Sequence, residues 1–216
     1  MIVRLVAYTP NPEVVAGTAA ATCTDSKSPE KSLKSAMKSG HNSVLEHASF
    51  SFSVEDVSRV TLAQLTRHRI ASFSVKSQRY CNTGKDAMMV VPGSVRKEGY
   101  EEKGIAMFKS CVDFYEELVA SGVPKEDARY FLPEGVCTKI MLTMNARELL
   151  HFFRLRTCHK AQWEIREMAE KMLTEAKMVA PQIFLSAGPP CVACGKCTEL
   201  KPCSSPRRIG PKGELI

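Results

Sequence analysis

The sequence predicts an α+β fold: a mainly antiparallel, twisted sheet flanked by helices, in a single domain over residues 1–187, with a short Cys/Pro/Gly-rich tail over 188–216. Three observations carry this. Residues 45–57 alternate apolar Ala48, Phe50, Phe52 and Val54 with His47, Ser49, Ser51 and Ser53, the period of a half-buried strand. Strand-like and helix-like stretches alternate irregularly along the chain, with caps, Gly or Pro at many of the breaks. From Gly188 the composition shifts to Gly, Pro, Cys and Lys.

In chain order, residues 1–8 carry Ile2, Val3, Leu5 and Val6 and read as a strand. Residues 13–23 are Ala-rich and read as a helix. Ser28-Pro29-Glu30 starts another, with a polar cap, Pro in the first turn and an acid behind it, and Gly40 ends it. Residues 58–69 read as a helix that places Gln64, Arg67 and His68 on one face. The chain then runs extended to Tyr80. Residues 87–91 form a short strand, 95–121 a long helix stopped by Gly122 and Pro124, 125–131 a short helix, and 136–144 a strand. Asn145 with Glu148 three residues on is a capping-box arrangement. On the helix it opens, Arg147, His151 and Arg154 share one face, and Leu149, Phe152, Phe153 and Arg156 another. A last helix spans 161–179 and stops before Pro181.

A chain of 216 residues, 44% hydrophobic, buries one sizeable core. It holds no apolar run near the ~18 residues of a membrane span. Its opening, MIVRLVAYTP, lacks the basic and apolar regions of a secretory signal, so a cytoplasmic location is expected. In that compartment nine cysteines point to reduced thiols or a metal rather than a disulfide framework. A net charge of +7 suits anionic partners such as nucleotides, folate polyglutamate tails or nucleic acid, without choosing among them.

The densest chemistry lies at residues 67–80. Arg67, His68, Arg69 and Arg79 surround Ser72, Ser74, Ser77, Gln78 and Tyr80. Arginine forks match phosphate and carboxylate oxygens, and adjacent cations repel unless an anion sits among them. Charge alone allows either an anion site or a solvated basic helix end.

The spacing is more specific. Arg67-His68-Arg69, seven residues, Ser77, one residue, then Arg79 resembles the signature of the flavin-dependent thymidylate synthases. Further landmarks follow in order over about residues 1–185: Gly40-His41-Asn42-Ser43, Glu46-His47, Ala128-Arg129, Asn145-Ala146-Arg147, Leu155-Arg156 and Ala161-Gln162-Trp163-Glu164. The resemblance implies reductive methylation of dUMP to dTMP, with FAD as cofactor and methylenetetrahydrofolate and NADPH as cosubstrates. It implies a homotetramer whose active sites draw on several subunits, with no membrane or nucleic-acid partner.

By the same resemblance FAD is bound by His41, Ser43, Arg67, His68, Arg69, Val75, Asn145, Ala146, Arg147 and His151. dUMP is bound by Gln64, Leu65, Thr66, Arg67, Val75, Lys76, Ser77, Gln78, Arg79, Arg129 and Arg156, with Ser77 and Arg79 on its phosphate. Arg156 is the catalytic residue that favours ionisation at uracil N3. Val75 stands where family members often carry Glu or Gln, so only its backbone is available there. Residues 157–160 also depart from the family, which bears on folate or nicotinamide contacts. Cys81 follows the motif and invites comparison with the nucleophile of the classical synthases; a buried small hydrophobe is the usual role of a free Cys.

In the tail, Cys191, Cys194, Cys197 and Cys203 supply two overlapping CxxC units and a fourth thiol. Zinc, an iron–sulfur cluster and metal-free thiols are the readings of that set. Two competing functions remain: a flavin-dependent methylase of another pyrimidine nucleotide, and a basic nucleic-acid-binding protein using the tail and the arginine motif.

Overall fold

The structure, a computed structural model, describes residues 1–84, 86–211 and 213–216. Four strands form one antiparallel sheet in the order β1-β2-β4-β3: β1 Ile2–Tyr8, β2 Ser49–Ser58, β3 Ala71–Val75 and β4 Cys137–Asn145. The α+β architecture expected from the sequence is therefore present. β2 and β4, the inner pair, are the strands with the cleanest alternation. Phe50, Phe52 and Val54 of β2 and Ile140, Leu142 and Met144 of β4 are buried, and a buried apolar face fixes register because a one-residue slip would expose it. On the opposite face the Ser51 and Thr143 hydroxyls pair at 2.8 Å, a cross-strand polar contact.

The chain divides into two compact units. The smaller comprises Met1–Ile2, Val54–Arg67 and Ser74–Ile140. It contains α3 Arg59–Leu65, α4 Gly93–Lys97, α5 Glu101–Ala120 and α6 Lys125–Ala128. Phe108 and Val112 of α5 pack with Val136, flanked by Ala87, Met89 and Leu132. The predicted strand at 87–91 reduces to a single antiparallel bridge between Met89 and Val136. The single long helix expected over 95–121 is two helices, because Gly99 turns the chain with φ of 74°, a conformation that ends helices and that glycine adopts without strain.

The larger unit comprises Val3–Ser53, His68–Phe73 and Met141–Ile216. Its helices are α1 Pro12–Thr24, α2 Pro29–Lys38, α7 Ala146–Arg156, α8 Trp163–Val179 and α9 Pro190–Ala193. Residues 42–47 form a 3-10 turn, so β2 begins at Ser49 rather than at residue 45. Gly17 lets α1 and α2 approach: a Cβ there would lie 2.6 Å from the Pro29 carbonyl oxygen. The core is aromatic, with Phe50, Phe153 and Phe184 meeting edge to face and Phe152 against Phe153. No helix among the described residues is long and apolar enough to cross a membrane.

The tail is tied into this unit by cations, not by thiols. Arg207 donates through Nη1 to the Thr157 carbonyl at 3.0 Å and to the Glu170 carboxylate. Lys177 Nζ donates to the Gly213 carbonyl at 2.8 Å, and Ile209 bridges Leu215. The Arg207 side chain is 11% exposed and Thr157 is fully buried, so loss of Arg207 leaves that carbonyl without this donor, while the partly exposed Glu170 keeps Arg166 nearby. Arg207→Ala is expected to lower stability by about 1.5–3 kcal/mol, the scale of a hydrogen bond to a charged group. It should also speed tryptic cleavage at the exposed Lys196. A tail cut at the wild-type rate would show that Arg207 is not its anchor.

Candidate active site

The helix α7 grows directly from strand β4. Asn145 is extended, and its Oδ1 accepts the Glu148 N–H at 2.9 Å. The Ala146 N–H donates to the Ala48 carbonyl at 2.8 Å, which fixes the helix start. Leu149, Phe152 and Phe153 are fully buried, while Arg147, His151 and Arg154 face solvent, as the sequence predicts. The capping box is only half made. The Glu148 side chain does not return to the Asn145 N–H; it reaches across to His68.

His68 is the centre of a buried polar cluster. It is 4% exposed and Glu148 7%. Arg156 Nε–H donates to His68 Nε2 at 3.1 Å, and His68 Nδ1 lies 3.0 Å from Glu148 Oε1. Because Nε2 accepts, the imidazole proton sits on Nδ1 and is donated to Glu148. Phe152 packs edge-on against the ring with centroids 4.9 Å apart, and His151 stands at 5.8 Å. Burial holds the His68 pKa below its ordinary value; Glu148 opposes this, and Arg156 and His151 add to it. His68, Glu148 and His151 offer ligand atoms within 4.8 Å of one another, but a cationic guanidinium already occupies Nε2. The donor set therefore suits a neutral hydrogen-bonded histidine better than a metal ion.

The 3-10 turn carries Ser43, and His41 just before it, onto a cavity of about 600 Å³ shared with Lys31, Ser32, Ser35 and Ser39; both are exposed. None of the described residues lining it is acidic. Arg147 is exposed and pairs with the Glu46 carboxylate, and Arg69 is exposed beside His68 in the chain. Ala146 is buried, and its N–H is already taken by the Ala48 carbonyl.

The remaining predicted residues fall in the smaller unit. Helix α3 stops at Leu65, with the Thr66 N–H on the Leu62 carbonyl, so the face expected to combine Gln64, Arg67 and His68 does not form. Leu65 is in the core; Thr66 and Arg67 are exposed. Val75 and Ser77 are half-buried, Lys76 is exposed and Gln78 buried. Ser77 Oγ accepts the Arg79 N–H at 3.2 Å, which closes a turn.

Arg79 and Arg129 meet at one residue that the sequence reading passed over. The Glu126 carboxylate binds Arg79 Nε, and the Glu126 carbonyl accepts from Arg129 Nε at 3.0 Å. Arg59, also passed over, lies near Arg129. Its Nη1 is buried without a hydrogen-bond partner, and burial, then Arg129, disfavours its charge. Three arginines and a hydroxyl-closed turn make an anion-binding chemistry in this unit. Cys81 is exposed, which corrects its reading as a buried small hydrophobe.

The tail zinc is not supported. Cys191, Cys194, Cys197 and Cys203 are free thiols. Three of them line a cavity of about 830 Å³ with Cys158, His159 and Arg207. Among the described residues, however, the ligand atoms that converge enough for one ion are those of His68, Glu148 and His151. The CxxC spacing is met in sequence, but the tail thiols are not among the converging ligand sets of the described residues.

The arginines and hydroxyls described in each unit have the chemistry of groups that hold anions. The family model described as thymidylate synthase complementing protein matches residues 4–182. A flavin-dependent thymidylate synthase from Geobacter sulfurreducens is 45% identical, over 93% of this chain and 97% of its own length. One from Pyrococcus furiosus is 47% identical over 79% of this chain and 73% of its own. The crystal structure of the flavin-dependent thymidylate synthase ThyX from Helicobacter pylori, complexed with FAD and dUMP, superposes with a TM-score of 0.71 at 28% identity, covering 87% of this chain and all of that one. The chain belongs to the flavin-dependent thymidylate synthase family. The reading as a basic nucleic-acid-binding protein gives way to this membership.

The neutral state of His68 carries a pH dependence. Its folded-state pKa is below the ordinary value near 6.5, so the unfolded chain takes up the proton first as the pH falls. The stability held by the neutral ring is complete above about 6.5 and is lost as the pH drops towards the folded-state value. His159, whose pKa is lowered by burial and then by Arg207 and Arg166, acts in the same direction. Thermal midpoints between pH 8 and 5 should fall on the acid side of 6.5, and His68→Gln should flatten most of that slope. An unchanged slope in the variant would assign the titration elsewhere.

Proposed function

We propose that this chain converts dUMP to dTMP by reductive methylation, with methylenetetrahydrofolate as carbon donor, NADPH as reductant and FAD as the bound cofactor. The observation that carries the reading is the complete arginine–histidine–arginine motif with its spaced Ser77 and Arg79, in a chain 45% identical to a flavin-dependent thymidylate synthase over nearly its whole length. FAD and dUMP are the molecules bound in the Helicobacter pylori relative.

The residues suit those ligands. In the larger unit, the acid-free cavity at His41 and Ser43, the exposed Arg69 and Arg147, and the polar Asn145 and His151 offer groups that suit a pyrophosphate-bearing cofactor. Bound FAD would supply hydride transfer, which no side chain here provides. Ser77, Arg79 and Arg129 would take the dUMP phosphate. The Arg79–Glu126 pair, with 56% and 43% of its side chains exposed, is worth about 0–1 kcal/mol and yields readily to a phosphate. Arg156 is half-buried beside Phe152 and Phe153, where a fixed cation stabilises charge developing on the pyrimidine far better than in water. No attacking side chain is required: among the described residues no base is hydrogen-bonded to the Ser77 hydroxyl or the Cys81 thiol. The homotetramer with shared active sites follows from the family resemblance, and the exposed Ile70, Tyr130 and Leu185 are compatible with subunit contacts. A cytoplasmic location accords with nine unpaired cysteines.

Anaerobic incubation of the FAD-loaded protein with dUMP, NADPH and methylenetetrahydrofolate should yield dTMP, and UMP in place of dUMP should yield no methylated product. Absence of dTMP would refute the reading; methylation of UMP would redirect it to another pyrimidine nucleotide. Arg156→Ala should keep flavin reduction by NADPH while slowing oxidation of the reduced flavin by dUMP and folate about 10²–10³-fold, the cost of one preorganised charge-stabilising group. Arg156→Lys should fall between, since a point charge replaces a planar fork.

A further inference from the structure

We infer that Glu148 is a positioning residue of this enzyme, holding Arg156 through the imidazole of His68. The inference rests on the thymidylate reading for what Arg156 does, but the hydrogen-bond relay itself stands on geometry.

The direction of the relay is forced. A guanidinium has only donors, so Arg156 Nε–H at 3.1 Å makes His68 Nε2 an acceptor. The one remaining ring proton is on Nδ1, and Glu148 Oε1 receives it at 3.0 Å. If Glu148 lost its acceptor, Nδ1–H would be buried without a partner, and the ring would gain by moving its proton to Nε2 or by turning away. Either change sets N–H against N–H at Arg156 or removes its acceptor. The side chain whose planar fork must face the pyrimidine would then lose a buried contact that helps orient it.

Glu148 is free for this task because its peptide N–H, not its carboxylate, makes the Asn145 cap. Glu148, Phe152 and Arg156 follow one another at i, i+4 and i+8 on α7, so His68 spans two turns of one stripe. Phe152 packs edge-on against the ring in the gap between its two polar contacts. The charged and titratable groups facing His68 are Glu148, Arg156 and His151. Opposite formal charges on Glu148 and Arg156 leave a neutral ring as the arrangement with no net charge, and a protonated ring could not accept from Arg156.

The test separates the half-reactions of the FAD-loaded protein by stopped flow, with wild type, Glu148→Ala and Glu148→Gln. The expected result is unchanged flavin reduction by NADPH in both variants. Glu148→Ala should slow oxidation of the reduced flavin by dUMP and methylenetetrahydrofolate about 10- to 100-fold, as loss of a supporting hydrogen bond does at other sites. Glu148→Gln keeps an acceptor oxygen and should recover most of that rate. Its acid limb should move to lower pH than in wild type, because the carboxylate that raises the His68 pKa is gone.

The second readout is the imidazole nitrogen spectrum of ¹⁵N-histidine-labelled wild type, assigned with His68→Gln, which should show His68 protonated at Nδ1. A His68 protonated at Nε2 overturns the relay even if Glu148→Ala fails to fold. So does a wild-type oxidation rate in Glu148→Ala, or a Glu148→Gln as slow as Glu148→Ala. If wild type makes no dTMP while His68 carries its proton on Nδ1, the relay stands and the substrate assignment falls.

Discussion

The contact on which the arrangement of the larger unit turns is the buried chain Arg156–His68–Glu148. It joins the arginine motif, which arrives after β2 and α3, to α7, which leaves β4 some 80 residues later. Burying ionised groups costs several kcal/mol each before any compensation, so apolar residues of the same volume would serve stability at least as well. A neutral imidazole between an acid and a guanidinium limits that cost, because both ring nitrogens are used and the two charges oppose each other. What the cluster provides beyond stability is uniqueness: only one tautomer and one helix register satisfy all three groups.

Much of this was legible in the sequence, and the failures have physical causes. β2, β4, the Asn145 cap and the two faces of α7 follow from periodicity because each buries one face against a shared core. Helix α3 was read four residues too far. Helical spacing of Gln64, Arg67 and His68 fits a turn on paper, but three successive cationic-capable residues followed by β-prone Phe73 and Val75 favour leaving the helix at Leu65. The break at Gly99 is invisible to hydrophobic period, since a single left-handed glycine interrupts a helix without disturbing the pattern on either side.

The site residues divide along the same line. Motif order singles out the landmark arginines, whereas it passes over Glu148, Glu126 and Arg59, whose partners are distant in sequence or contribute through the backbone. Glu148 did leave a signal: an acid on the face of α7 that otherwise carries Leu149, Phe152 and Phe153 needs a buried partner. Local capping chemistry explained it too soon. The carboxylates on Arg79 and Arg147 follow a different logic. Both pairs are solvent-exposed, so each orients its arginine fork while contributing little to stability.

The tail shows how residue type can mislead when geometry is unknown. Its cysteines dominate the composition, yet its structural contribution comes from Arg207. That side chain donates to the carbonyl of Thr157, the residue that ends α7 and follows Arg156. The C-terminus of a helix carries partial negative charge and unsatisfied carbonyls, so Arg154, Arg156 and Arg207 are all favourably placed around it. The same helix end is thus held twice, by Thr157 bonding back to Phe153 and by Arg207 reaching it from 50 residues later. With the helix end fixed from both sides, the backbone bearing Arg156 has little freedom. The His68 contact then has only the side chain left to orient.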